Sequence, residues 1–302
     1  MACQIVFMGS PDFAVPSLRA LADVYPIVGV VTQPDREAGR GRRLVAPPVK
    51  QVALEMDLPV IQPEKLRAPE AMSQLQAWKP DLIVVAAFGQ ILRPAVLDLP
   101  RYGCVNVHGS LLPRWRGAAP IQAAILAGDE QTGVTIMKMD SGVDTGPMLS
   151  QRAMPIKPED TAGSLFERMS ALGAELLVET LPGYLDGLIQ PHPQPEDGVT
   201  YASMLKKEDG VLDFTRPAVE LARRVRAYNP WPGAFFEWQG GLMKVHQAHA
   251  EEGRAEPGAH LVFQKSPAIG TGDGILVLDI VQPAGKKAME GKAFLAGTRW
   301  EK

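Results

Sequence analysis

The chain has 302 residues, 46% apolar and 22% charged, with a formal net charge of −3. These are the totals of an ordinary globular protein; they exclude a disordered or collagen-like chain, and no apolar run approaches the roughly 20 residues of a bilayer-spanning helix. Cys3 and Cys104 are the only cysteines and sit in apolar strand-like runs, which excludes a disulfide scaffold and leads us to expect a reducing, cytoplasmic setting without membrane contact.

The first residues run straight into Gln4–Met8, an apolar strand, with no leader-like segment before it. That strand ends in Gly9-Ser10-Pro11-Asp12, and Phe13, Leu18 and Leu21 then recur at helical spacing. Pro26–Thr32 predicts a second buried strand. After an arginine-rich loop, Val49–Met56 predicts a helix and Val60-Ile61 a short strand. Pro69–Trp78 predicts a helix, and Asp81–Ala87 and Gly103–Val107 predict two more strands. Strands that alternate with helices and are apolar on both faces predict an α/β, Rossmann-like domain with a mostly parallel sheet. Ligands bind such sheets at the carboxyl ends of the strands, which puts Gly9-Ser10, Thr32-Gln33, Phe88-Gly89-Gln90 and His108-Gly109-Ser110 on one rim.

Further on, Ile121–Ala127 predicts a helix and Gly133–Met139 a strand. Thr161–Leu188 predicts a long helix on the spacing of Leu165, Met169, Leu172, Leu176, Leu177 and Leu181. The Pro-rich run Ile189–Gly198 predicts a semi-extended connection. The expected division is therefore a domain over 1–189, a linker over 190–207 and a second domain over 208–302. In the last part a helix at Ala218–Ala227 precedes short strands at Ala234–Trp238, Met243–His249, His260–Phe263, Gly274–Val281 and Lys292–Leu295. Gly and Pro punctuation between them predicts a small antiparallel β-barrel, OB-like in type.

Chemistry concentrates between Val105 and Leu149. Asn106 and His108 alternate at the end of a strand and so face one side. An Asn amide can donate to an oxygen that becomes negative in a tetrahedral intermediate, and an imidazole beside it can share that load or move a proton. Asp144, in a Gly-flanked loop, could hold the imidazole. Taken singly, His108 reads as structural at least as readily as functional, and Asp-Thr-Gly is also a good turn.

In combination, Asn-x-His-Gly-Ser-Leu-Leu-Pro from Asn106, then Arg-Trp-Arg-Gly ending at Gly117, then Asp-x-Gly-x-Asp-Thr-Gly ending at Gly146 resemble the 10-formyltetrahydrofolate-dependent formyltransferases. The resemblance covers the whole N-terminal domain and includes Ala87–Leu92, similar to that family's folate loop. It implies a Rossmann-like catalytic domain with Asn106, His108 and Asp144 as catalytic residues. It also implies a 10-formyltetrahydrofolate site formed by Phe88, Gly89, Gln90 and Ile91, by Ser110, Leu111, Leu112 and Pro113, and by Asp140 and Val143.

Two further features bear on the formyl acceptor. Arg36, Arg40, Arg42 and Arg43 fall within eight residues, with Gly41 among them, which suits either a solvated loop or an arm that pairs guanidiniums with phosphates. The appended C-terminal domain has 14 basic and 12 acidic residues over 206–302, a modest net +2, so any basic face there rests on clustering, for instance of Lys206, Lys207, Arg223 and Arg226. Both features resemble the members of the family that act on aminoacylated tRNA. They imply initiator methionyl-tRNA as partner, with Arg36, Arg40, Gly41, Arg42, Arg43 and those four residues toward the RNA. A family member acting on a sugar nucleotide or other small amine would share the catalytic stretch without needing the arm. A non-catalytic RNA-binding protein with a degenerate enzyme domain is the reading from a different class. A monomer is the default expectation.

Other signals are weaker. His246 and His249 have no Cys or third ligand nearby, so no metal is expected. Gly9-Ser10-Pro11 has neither the dinucleotide-binding glycines nor the P-loop lysine. Ser110 lacks the strand-elbow pattern of a serine hydrolase.

Overall fold

The computed structural model describes residues 2–38 and 43–300. It falls into two compact units. The first takes in the chain up to Gly117, Gln131–Pro155 and Phe166–Tyr201; the second takes in Ala118–Glu130, Ile156–Leu165 and the chain from Ala202 onward.

In chain order the elements are β1 (Ile5–Gly9), α1 (Val15–Ala22), β2 (Ile27–Val31), the short pair β3 (Arg36–Ala38) and β4 (Arg43–Val45), α2 (Pro48–Glu55), β5 (Val60–Ile61) and α3 (Pro69–Trp78). They continue with β6 (Leu82–Ala86), α4 (Pro94–Leu97), β7 (Cys104–His108), β8 (Arg116–Gly117), α5 (Pro120–Ala127), β9 (Gln131–Lys138), β10 (Met148–Pro155) and α6 (Ala162–Leu185). The first unit is built on a seven-stranded sheet in the order β10-β9-β7-β6-β1-β2-β5. The five strands from β5 to β7 run parallel, while β9 opposes β7 and β10 opposes β9. The mostly parallel α/β sheet expected from the alternation of elements is thus what forms.

Central strands β1, β6 and β7 are buried along their whole length, which is why β1 and β6 read as unbroken apolar runs, while in β7 the buried Asn106 and His108 alternate with valines. Strand β10 did not stand out in the sequence. It is the sheet's edge, its polar Ser150, Gln151 and Arg152 interrupt the apolar pattern, and its second half alternates between exposed and half-buried residues. Two glycines bring helices close. A Cβ on Gly29 would lie 2.4 Å from the Trp78 ring of α3, and one on Gly173 would lie 2.8 Å from Val107. The second contact seats α6 against β7 on the face that carries Val107. Asn106 and His108, one residue to either side, therefore face the opposite way.

After β11 (Tyr201–Ala202), the second unit contains α7 (Ala218–Ala227), β12 (Ala234–Trp238), β13 (Gly241–Glu251), β14 (His260–Phe263), β15 (Ser266–Gly270), β16 (Ile275–Gln282), β17 (Met289–Glu290) and α8 (Gly291–Ala296). Its antiparallel sheet has the order β12-β13-β16-β15-β14, with β17 against β16. Leu221 and Val225 of α7 join Phe236, Met243, Val245, Leu276, Leu278, Phe294 and Trp300 in one core. One local expectation needs correction, and one strand escapes the sequence pattern. Lys292–Leu295 is not a strand but the middle of α8: its helix-forming residues place Phe294 edge-on to Trp238 and Trp300. And β15 was not foreseen, because Pro267 argues against a strand. It forms after a two-residue turn in which Gln264 and Lys265 both take left-handed backbone, a geometry usually signalled by Asn-Gly.

Candidate active site

The loops at the carboxyl ends of β1, β2 and β6 are tied together on one rim. The Ser10 hydroxyl accepts from the Gln33 amide at 3.0 Å, and the Gln33 side chain donates to the Phe88 carbonyl at 3.1 Å. Gly89, at φ +80, turns the chain after Phe88, whose ring is buried. The Gln90 amide is spent inside the protein: its oxygen accepts from Leu66 N at 2.9 Å and its nitrogen donates to the Pro63 carbonyl at 3.1 Å. Ile91 points out and is 75% exposed. A cleft of about 410 Å³ opens on that side, bordered by Gln90, Ile91, Arg93, Lys65 and Arg67; Asn106, His108 and Asp144 do not line it.

Next to this loop, β7 delivers Asn106 and His108, both buried. Ser110–Pro113 follows as a tightly stapled turn with a cis Leu112–Pro113 bond. The Thr135 hydroxyl donates to the Ser110 carbonyl at 2.7 Å and accepts from Leu112 N at 3.1 Å, while Gln151 Nε2 donates to the Leu112 carbonyl at 2.7 Å. Ser110 itself is fully buried and its hydroxyl donates to the Arg114 carbonyl at 2.6 Å, so it shapes the loop from within. Leu112 is buried, Leu111 and Pro113 half-buried.

Asp144 reaches this place from the far end of β7. Because β9 runs against β7, with Lys138 paired to Val105, the β9–β10 loop starts beside the beginning of β7 and must turn back along it. Asp140 caps the loop's own turn, accepting from Gly142 N at 3.0 Å and from the Thr145 hydroxyl at 2.6 Å; Val143 is exposed. Asp144 sits in left-handed backbone, at φ +52. Its Oδ2 accepts from Gly117 N at 2.9 Å. Its Oδ1 faces both Asn106 Nδ2, at 3.4 Å, and His108 Nδ1, at 3.5 Å.

On its other edge, His108 Nε2 lies 3.0 Å from the Trp115 carbonyl. A carbonyl only accepts, so Nε2 is the donor there, and Nδ1 is left toward the carboxylate. Trp115 presents that carbonyl because its backbone is also left-handed, at φ +62. Amide, imidazole and carboxylate thus converge on a single oxygen: a positioned donor and a proton carrier whose orientation is set from both sides. Sequence reasoning found the three residues but neither the Trp115 carbonyl nor the Gly117 amide that holds them.

The basic candidates are dispersed. Arg36 and Arg43 are exposed on the β3–β4 pair, Arg36 lying 3.7 Å from Glu64; Arg40, Gly41 and Arg42 fall outside the described residues. In the second unit Lys206 and Lys207 are exposed at the start of a short 3₁₀ turn. Arg223 on α7 lies over Gly128, where a Cβ would come within 2.3 Å of its guanidinium carbon. Arg226 is half-buried and donates to the Asp160 carbonyl at 2.9 Å; burial, with the like charge of Arg223 adding to it, holds its pKa below the ordinary arginine value. Among the described residues, no helix is long and apolar enough to cross a membrane.

Comparison with known proteins places this arrangement. The Formyl transferase family profile matches residues 4–181, and the profile for the formyl transferase C-terminal domain matches residues 204–299. The chain is 52% identical over 297 residues to a methionyl-tRNA formyltransferase of Myxococcus xanthus, covering 97% of this chain and 95% of that protein. It is 55% identical over 304 residues to one of Halorhodospira halophila, covering 99% and 97%. Among solved structures, the fold resembles an N-formyltransferase from Helicobacter canadensis in complex with folinic acid and dTDP-3-aminofucose, at TM-score 0.67 and 18% identity over 94% of this chain and all of that one. It also resembles HypX from Aquifex aeolicus in complex with tetrahydrofolic acid, at TM-score 0.63 and 19% identity over 98% of this chain; here the chain spans about half of its relative, 47%.

Proposed function

The chain belongs to the formyl transferase family, and from that premise we propose that it transfers the formyl group of 10-formyltetrahydrofolate to the α-amino group of methionine on initiator methionyl-tRNA, in the cytoplasm. The observation that carries this reading is the convergence of Asn106 and His108 on one carboxylate oxygen of Asp144, within a chain similar over nearly its whole length to enzymes named for that reaction.

The donor set fits such a transfer. When bound, 10-formyltetrahydrofolate supplies an electrophilic formyl carbon. Esterification to tRNA lowers the basicity of the attacking amine, so the site does not need a strong base. Asn106 Nδ2 donates to the formyl oxygen as negative charge develops on it. His108, with Nδ1 toward Asp144, gives its Nε2 proton, held in this structure by the Trp115 carbonyl, to the leaving nitrogen, and the proton shed by the attacking amine replaces it. The loops Phe88–Ile91, Ser110–Pro113 and Asp140–Val143 are proposed to hold the folate largely through backbone groups. That suits the inward commitment of the Phe88, Gln90, Ser110 and Leu112 side chains. Arg36, Arg40, Gly41, Arg42 and Arg43 are proposed as an arm toward the acceptor arm of the tRNA. Lys206, Lys207, Arg223 and Arg226 are proposed as part of a basic face on the second unit.

A formylation assay with 10-formyltetrahydrofolate tests the proposal. Initiator methionyl-tRNA should be formylated, elongator methionyl-tRNA much less, and amino-sugar nucleotides not at all. Transfer to the sugar nucleotide in preference to the tRNA, or no transfer to any amine, would overturn it.

A further inference from the structure

The Pro-rich stretch that follows α6 lies along the first unit's own loops. His192 exchanges backbone hydrogen bonds with Met148, at 3.0 and 2.8 Å, and Thr200 receives Trp115 N on its hydroxyl and Arg116 N on its carbonyl, both at 2.9 Å. Between these anchors the Gln194 side chain reaches inward. Its Oε1 accepts from Arg116 Nε at 3.0 Å and Nη2 at 2.7 Å; its Nε2 donates to the carbonyls of Asp144 and Gly146, each at 2.8 Å. Every hydrogen-bonding group of the amide is used, and the guanidinium on one side fixes which end is oxygen. Reversed, the amide would set N–H against N–H and oxygen against two carbonyls.

We infer that Gln194 is a positioning residue for the transfer, setting the Asp144 carboxylate through the backbone of its loop; the inference rests on the role proposed above for Asp144. Left-handed backbone at a non-glycine residue persists only where surrounding structure holds it, and Asp144 is such a residue. Besides Asn106 and His108 on Oδ1, three contacts hold it: Gly117 N on the carboxylate, Gln194 on the carbonyl, and the close seat of Gly146, where a Cβ would come within 1.9 Å of the Lys138 carbonyl. Of these only Gln194 also grips Arg116, in the segment that presents Gly117 N and the Trp115 carbonyl. One side chain therefore registers both loops that bracket His108. Nothing in its contacts suggests a direct touch on substrate.

The test is a double-mutant cycle read in single-turnover formylation of methionyl-tRNA. Gln194→Leu keeps the bulk and removes the amide. Gln194→Glu keeps the Arg116 contact, and with it the seating of the stretch, while setting a carboxylate against the two carbonyls. Both variants should lower the rate of the chemical step roughly 10- to 100-fold, as for a sub-ångström to ångström misplacement, with KM for donor and tRNA nearly unchanged. In an Asp144→Asn background the same substitutions should change the residual rate by less than about twofold, because the group they position is already disabled. The ¹⁵N resonance of His108 Nδ1 should move in folded Gln194→Leu. Wild-type rates in both Gln194 variants, a loss confined to KM, or an equal loss in both backgrounds would overturn the inference while leaving the role of Asp144 standing. An Asp144→Asn enzyme at full rate would instead remove the role of Asp144, and the inference with it.

Discussion

The Asp144 carboxylate is moored by Gly117: the amide of a residue 27 positions earlier donates to Oδ2 at 2.9 Å and leaves Oδ1 turned to Asn106 and His108. An Asn at 144 retains one acceptor for Gly117 N but loses the charge that faces the imidazole. Asp144→Asn should therefore fold normally and lose roughly 10²- to 10⁴-fold in the chemical step, the range of positioned acid–base groups. Single-turnover rates beside a melting curve check this; a full rate in the folded variant removes Asp144 from the reaction.

Asn106 is the side-chain amide in the cluster, and its Nδ2 looks toward the same oxygen as the imidazole. Loss of one oxyanion donor typically costs about 10²- to 10³-fold in turnover. Asn106→Ala should show that loss, with folate affinity nearly intact by equilibrium titration. A variant that binds folate poorly but turns over normally once saturated would reassign Asn106 to binding.

Arg43 is exposed at the start of β4, directly after the segment that carries Arg40 and Arg42. If these side chains meet phosphates, each contact contributes about 0.7 to 0.9 to the slope of log affinity against log salt. Arg43→Ala and Arg42→Ala should each flatten the slope for methionyl-tRNA by about that amount. Slopes equal to that of the unaltered protein would mark the loop as ordinary surface.

Burial pushes the Cys104 thiol up to about 12 from an ordinary 9.0, the charge of Asp98 adding and that of Lys138 opposing. The sign follows from linkage. The folded state keeps this proton after the unfolded state has released it, so the contribution is complete below pH 9.0 and is lost as pH rises toward 12. One such proton steepens the alkaline fall in stability by about 1.4 kcal/mol per pH unit. Urea unfolding of wild type and Cys104→Ala should differ by a constant below that window, with the wild-type advantage shrinking inside it. Parallel curves throughout would show that Cys104 ionises as freely folded as unfolded.

Much of the fold could be read along the chain. The run Leu82–Ala86 is apolar because both faces of β6 are covered, and the boundaries of α3 and α7 lie where Pro69 and the end of the apolar spacing put them. What escaped was local pattern overruled by context. Strand β15 forms in spite of Pro267 because its five residues are buried between neighbouring strands, and Lys292–Leu295 is short enough for either period, so the packing of Phe294 decided for helix.

For the site the division is sharper. The strand that carries Asn106 and His108 on one face, and the order of motifs that marks the family, are legible along the chain, because side-chain alternation and motif spacing are properties of neighbouring residues. The return of Asp144 along β7, the Trp115 carbonyl on His108 Nε2, and the bridge of Gln194 from Arg116 to the Asp144 loop emerge only once the chain is folded. Those contacts join residues that are distant in sequence through single hydrogen bonds, and a hydrogen bond between distant segments leaves no periodic trace in either of them.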